Sequence, residues 1–102
     1  MTVFSVTKTR VRDGKYQDAL ARYAKLKAVI ERHGGTFRVR QQLFGANPLT
    51  LTTIIETAGW SEFGALFAGL ENDAGYQEFV AGVRANPFGD LIQRNILTDV
   101  AV

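Results

Sequence analysis

The chain has 102 residues, of which 46% are hydrophobic and 22% charged, a size and composition that fit one domain spanning 1–102 around one core. It holds no cysteine and a single histidine, which excludes a disulfide framework, an iron–sulfur cluster and a thiol nucleophile and argues against a protein-only metal site. The formal charge of +2 conceals a split: residues 1–40 carry ten Lys/Arg against Asp13, Asp18 and Glu31, whereas residues 41–102 carry Arg84 and Arg94 against seven acids.

The first ten residues have no apolar core of the kind a leader needs, and no apolar run approaches ~18 residues, so the expected location is the cytoplasm with no membrane partner. Residues 2–11 are rich in β-branched side chains and stop at Arg12-Asp13-Gly14, which predicts a strand ended by a turn. From Lys15 onward Tyr16, Ala19, Leu20, Tyr23, Ala24, Leu26 and Ile30 recur at three- and four-residue spacing, the stripe of a helix of about five turns. Asp13 is the expected cap at its start, and Arg32, His33 and Gly34-Gly35 mark its end. Residues 36–44 and 49–56 read as two strands joined by the short loop Gly45-Ala46-Asn47-Pro48. Residues 60–70 set Trp60, Phe63, Leu66, Phe67 and Leu70 on one helical face, Asn72 or Asp73 restarts a second segment carrying Tyr76, Phe79, Val80 and Val83, and Asn86-Pro87 ends it. Residues 91–102 complete the pattern as a last strand. The order is that of an α+β, ferredoxin-like βαββαβ fold with a broken second helix and a four-stranded antiparallel sheet.

The strands do not alternate cleanly between apolar and polar. Leu51, Thr53 and Ile55 oppose Thr52, Ile54 and Glu56, and Val3 and Ser5 oppose Phe4 and Val6. Helices cover one face of such a sheet, so the second, partly apolar face needs another cover, and a homodimer with sheets face to face supplies it.

The stretches VTKTRVRDGKYQDALARYAKL and TIIETAGWSEFGALFAGLENDAGYQEFVAGVRA resemble the dimeric α/β-barrel superfamily, in particular its small antibiotic-biosynthesis-monooxygenase-like and uncharacterised branches. The resemblance covers nearly the whole chain and implies a homodimer that encloses a ligand between each sheet and its helices. Haem-degrading members have an Asn on the first strand and a His on the helix after the third. Here the corresponding positions fall near Thr7 and in residues 75–83, which contain no His, so haem held in that mode is disfavoured, and no metal or cofactor is expected. Cofactor-free oxygenases of the superfamily surround an apolar cavity with Asn, Trp, Tyr and Arg, residue types present here as Asn95, Trp60, Tyr23, Tyr76 and Arg94.

Each candidate has a plainer reading beside it. His33 is the one side chain with an ordinary titration near neutrality and hence a candidate general base, but a histidine in a last helical turn more commonly serves the dipole and solvent. Tyr23 is a candidate to present its hydroxyl to a cavity, or else packs in the core with one hydrogen bond. Trp60, Phe63, Phe67, Tyr76 and Phe79 are expected to cluster across the broken helix, as core or as the wall of a ligand pocket. Ser5, Thr7 and Thr9 share one strand face, with Thr53 a candidate neighbour; their hydroxyls can orient a ligand, and no adjacent base activates Ser5 as a nucleophile. Gly64, Gly69, Gly75 and Gly82 weaken the broken helix, which suits a lid or close helix approach equally. Lys8, Arg10, Arg12, Lys15, Arg38 and Arg40 form a basic set without interleaved aromatics, which disfavours nucleic acid as a partner. The charge split itself is expected to close internally, Arg22, Lys25, Lys27 and Arg32 lying beside Glu62, Glu71, Asp73 and Glu78.

The functional expectation is a small-molecule-binding homodimer for an apolar, aromatic or polyketide-like compound. If it turns that compound over, the resemblance implies cofactor-independent monooxygenation, cyclisation or isomerisation near Tyr23, His33 and Thr7. The alternative is a non-catalytic ligand-binding or sensory module.

Overall fold

In a computed structural model describing residues 1–45 and 49–102, the chain runs β1 (Val3–Val11), α1 (Tyr16–Arg32), β2 (Thr36–Gln41), β3 (Thr50–Thr57), α2 (Trp60–Glu71), α3 (Ala74–Ala85) and β4 (Gly89–Thr98). The strands form one antiparallel sheet in the order β2-β3-β1-β4. The ferredoxin-like βαββαβ arrangement therefore holds, with the second helix divided into α2 and α3.

The two-residue period of a strand decides what meets the helices. Val3, Ser5, Thr7, Thr9 and Val11 share one face of β1, and the register carries that face to Leu51, Thr53 and Ile55 of β3 and on to Phe37 of β2. Against it α1 lays Ala19, Tyr23, Leu26 and Ile30, all buried, at the spacing of one helical stripe. Leu66 and Leu70 of α2 and Phe88 close the same core. Burial of each Leu, Ile or Phe side chain among them stabilises the fold by about 1.5–3 kcal/mol relative to exposure.

α1 stops where the sequence predicts. Gly34 takes φ +86, its N–H donates to the Glu31 carbonyl at 3.2 Å, and the Gly35 N–H donates to Ile30 at 3.1 Å, the paired bonds of a Schellman ending. Its start differs. Asp13 caps nothing; the N-cap position is Lys15, without a side-chain bond, because the turn closed by Lys15 N–H on the Arg12 carbonyl leaves Asp13 two residues too early. The restart of the broken helix is settled in favour of Asp73, whose carboxylate accepts from the N–H groups of Gly75 and Tyr76, while Asn72 ends α2.

Two strands are shorter or shifted relative to expectation. β2 ends at Gln41, short of the 36–44 the sequence predicts, and Leu43 and Phe44 project outward, 80% and 93% exposed, because the apolar run continues where no partner strand does. Of the proposed loop Gly45-Ala46-Asn47-Pro48, the last three residues lie outside the described ones. β4 starts two residues early and stops at Thr98, because it pairs with β1 alone, from Val11 opposite Gly89 to Val3 opposite Thr98, and β1 offers nothing beyond.

The charge split closes across the chain at three places: Arg12 with Asp90 at 2.7 Å, Arg38 with Glu56 at 2.7 Å and Arg32 with Asp73 at 3.1 Å. The expectation that α1 cations face acids of the second half is met by Arg32 only in part. Arg22 pairs with Asp18 and Lys27 with Glu31 on their own helix, since a carboxylate four residues away is reached with less chain ordering than one on another helix.

Candidate ligand-binding site

Between the helix-facing side of the sheet and the three helices lies a cavity of about 330 Å³. Thr7 and Thr9 of β1, Thr53 and Ile55 of β3, and Leu91 and Arg94 of β4 form its floor; Tyr23, Leu26 and Ile30 of α1, Phe67 and Leu70 of α2, and Tyr76, Phe79 and Val83 of α3 form its walls, with Phe37 and Phe88 at the sides. The lining is largely apolar, with hydroxyls on the floor, the composition expected of a small-molecule pocket. A larger groove of about 470 Å³ runs between α1 and α3, but it is bounded by Arg22, Lys25, Arg32 and Glu78 on the outer side of the helices and lacks such convergent hydroxyls.

Tyr23 is the centre of this construction. Its ring stands edge-on to Phe88 at 5.1 Å and tilts against Phe37 at 6.1 Å and Phe79 at 6.3 Å, contacts worth more than their area alone. Burial pushes the phenol above its ordinary pKa, with a hydrogen bond to Thr9 working in the opposite direction, so the group is a neutral hydrogen-bonding phenol at neutral pH and not a base.

Thr7, Tyr23, Thr53, Phe67, Tyr76 and Phe79 all line the cavity. Ser5, Trp60, Phe63 and His33 do not. Ser5 is buried beside Ile55 and Ile96 in the next row of the sheet. The expected single aromatic cluster is instead two groups: Trp60, Phe63 and Phe67 stack along α2 at 5.9 and 4.8 Å, whereas Phe79 joins Tyr23. Trp60 is the first residue of α2, more than a turn before Leu66, and is 58% exposed there, beyond reach of the core.

His33 belongs to a separate assembly at the end of α1. Its Nε2 lies 2.7 Å from Asp73 Oδ2, and Arg32 donates to both Asp73 oxygens at 3.1 Å. The hydrogen bond from His33, reinforced by Arg32 and by the Gly75 and Tyr76 N–H groups and opposed by burial, holds the Asp73 carboxyl well below the usual carboxylate range. The cluster pins the end of α1 to the α2–α3 break. It also explains two of the four glycines: a Cβ on Gly69 would meet His33 Nδ1 and one on Gly75 would meet Val29 Cγ2 at 2.9 Å. Gly64 and Gly82 face open space.

Thr9, expected from its strand face, and Arg94, expected from its residue type, also line the cavity, and Phe37 and Phe88 join the lining without having been among the expected contacts. That Arg94 stands opposite Thr7 and shares its face follows only from the pairing of β4 with β1. Phe88, after Asn86-Pro87, had no periodicity to place it.

Among the described residues no group of three or more His, Cys, Asp or Glu side chains is placed to hold a metal ion, and no helix is long and apolar enough to cross a membrane.

No protein-family model and no curated protein matches the chain. Solved structures do. A NIPSNAP domain protein from Burkholderia xenovorans superposes with a TM-score of 0.77 at 20% identity, over 99% of this chain and 96% of that one. A NIPSNAP family protein from Agrobacterium tumefaciens gives 0.76 at 15% identity over 98% and 94%. SnoaB, a cofactor-independent oxygenase from Streptomyces nogalater, gives 0.65 at 15% identity over 99% and 95%. At these identities the likeness shows the fold: a ferredoxin-like α+β domain of the kind the sequence resemblance implied.

Proposed function

We propose that the protein binds a small, largely apolar aromatic or polyketide-like molecule in the cavity between sheet and helices, and that it does so as a homodimer joined through the open sheet face. The observation that carries the reading is the cavity itself: aromatic and aliphatic walls over a floor of Thr7, Thr9 and Thr53 hydroxyls. Such a lining removes a planar apolar ligand from water and orients it by a few hydrogen bonds. Native mass spectrometry of the protein as purified, followed by titration with aromatic compounds, tests this. Failure to retain or bind any of them overturns it.

The dimer rests on the other side of the sheet. Phe4, Val6, Ile54 and Leu97 share that face, Val6 opposite Ile54 and Phe4 opposite Leu97, and Leu97 is 50% exposed. Light scattering at micromolar protein is expected to give twice the chain mass of 11.3 kDa; the mass of one chain overturns it.

Turnover is the second reading, supported by the shared fold of a cofactor-independent oxygenase. Among the described residues the cavity lining has no group poised as a base: Tyr23 is a neutral phenol, and His33 is bound to Asp73 outside it. Catalysis here thus requires a substrate acidic enough to lose its own proton to solvent before it meets dioxygen. Oxygen uptake in the presence of a bound electron-rich quinol separates this reading from a non-catalytic binding or sensory module.

A further inference from the structure

The floor of the cavity carries one polar row. Arg94 of β4 stands opposite Thr7 of β1, and Thr7 stands opposite Thr53 of β3. Cross-strand partners share a face, so guanidinium and two hydroxyls line up over roughly 10 Å, two strand spacings. The neighbouring rows are greasier: Leu91 with Thr9 and Leu51 on one side, Ile96 with Ser5 and Ile55 on the other.

Arg94 is the one charged residue among those lining this cavity. Four other arginines hold carboxylates: Arg12 on Asp90, Arg22 on Asp18, Arg32 on Asp73 and Arg38 on Glu56. Arg94 has no hydrogen-bond or ion-pair partner among the described residues, and Asp90, the other ionised group on its strand, is already engaged by Arg12. The cavity thus offers a cation, hydroxyl donors and a protonated phenol, with no negative charge to balance them. A guanidinium at the edge of an apolar cavity favours a planar oxyanion that it can grip with two parallel N–H bonds.

We propose that the ligand is an aromatic acid, its carboxylate held by Arg94 and the Thr7 hydroxyl and its ring system lodged among Tyr23, Phe67 and Phe79. The proposal rests on the cavity being the binding site, and it adds the charge of the ligand and the residue that reads it. The carboxylate sits on the β4 side, where the cavity floor meets exposed Arg94, and the ring lies inward where water is excluded. This orientation keeps the charge in the more polar part of the site.

The test uses naphthalene carboxylate and its methyl ester, titrated calorimetrically at neutral pH into the full chain and into Arg94→Met, Arg94→Lys and Thr7→Val. The expected result is that the parent binds the acid at least about tenfold more tightly than the ester. Arg94→Met abolishes that preference by weakening the acid at least severalfold more than the ester, Arg94→Lys retains part of it, and Thr7→Val weakens the acid by a larger factor than the ester. Added salt weakens the acid alone. Equal binding of acid and ester by the parent, or equal weakening of both by Arg94→Met, overturns the role of Arg94 and leaves the cavity reading in place. Binding of neither probe overturns both.

Discussion

β1 and β4 are hydrogen-bonded neighbours along their whole length, yet β1 is buried on its helix-facing side and half-buried over most of the other, whereas β4 is exposed over nearly its whole length. The difference does not come from side-chain character. Leu91, Ile96 and Leu97 are as apolar as anything on β1, but they are 66%, 46% and 50% exposed. Sheet order decides: the helices pack over β2, β3 and β1, and the last strand extends past their cover. The enclosed region therefore carries the stability of the fold, whereas the open strand carries the mouth of the cavity, exposed apolar surface and, in Arg94, a guanidinium without a partner among the described residues.

Substitutions can break that contrast. Leu66→Ala, at a site with no exposure, is expected to cost about 3 kcal/mol by removing buried methyl groups and leaving a void; a loss under ~1 kcal/mol in chemical denaturation would show that the enclosed half is not the stabilising one. Leu97→Asp on the open strand is expected to leave secondary structure intact while halving the mass seen by light scattering, and an unchanged mass removes Leu97 from the proposed interface. Tyr23→Phe keeps the ring contacts and loses the hydroxyl, for an expected cost of about 1 kcal/mol. A null effect would show that Tyr23 contributes as an aromatic ring alone.

A pH series sharpens the picture at the α1 end. The Asp73 carboxyl is held below its ordinary value, so its stabilising contribution is complete above the unfolded carboxyl pKa of about 4 and is lost as pH falls toward the folded value. Asp73→Asn is accordingly expected to lower the melting temperature most at neutral pH, with the gap from the parent closing in acid. A gap that stays constant through that range contradicts the ionic role and leaves only the helix cap. The smallest effect is expected from Arg38→Gln. Its pair with Glu56 is part exposed, 43% and 34%, and pairs of that kind contribute about 0.2–1 kcal/mol, less in salt.

How much of this was legible beforehand depended on whether the signal was local. The α1 stripe from Ala19 to Ile30, the Gly34 ending and the break before Ala74 follow from residue spacing and glycine chemistry, and they were readable. Asp13 was misassigned because its capping reach depends on the geometry of the preceding turn, and Leu43 and Phe44 because apolarity without a pairing partner does not make a strand. In the site, Thr7, Tyr23, Thr53, Phe67, Tyr76 and Phe79 could be nominated from face and type. Trp60 and Phe63 share that type, but Trp60 is exposed at the start of α2 and Phe63, half-buried against Phe67, stays outside the cavity.

The amino-acid order alone thus determined the elements, their sequence and the fold they can form, since helical and strand periodicities are properties of neighbouring residues. Only the tertiary structure decided that Arg94 stands opposite Thr7, that Phe88 closes on Tyr23 and that His33 is tied to Asp73 away from the cavity. Each of these joins segments separated by some forty to ninety residues, and such pairings are set by sheet register and helix packing, which no local pattern encodes.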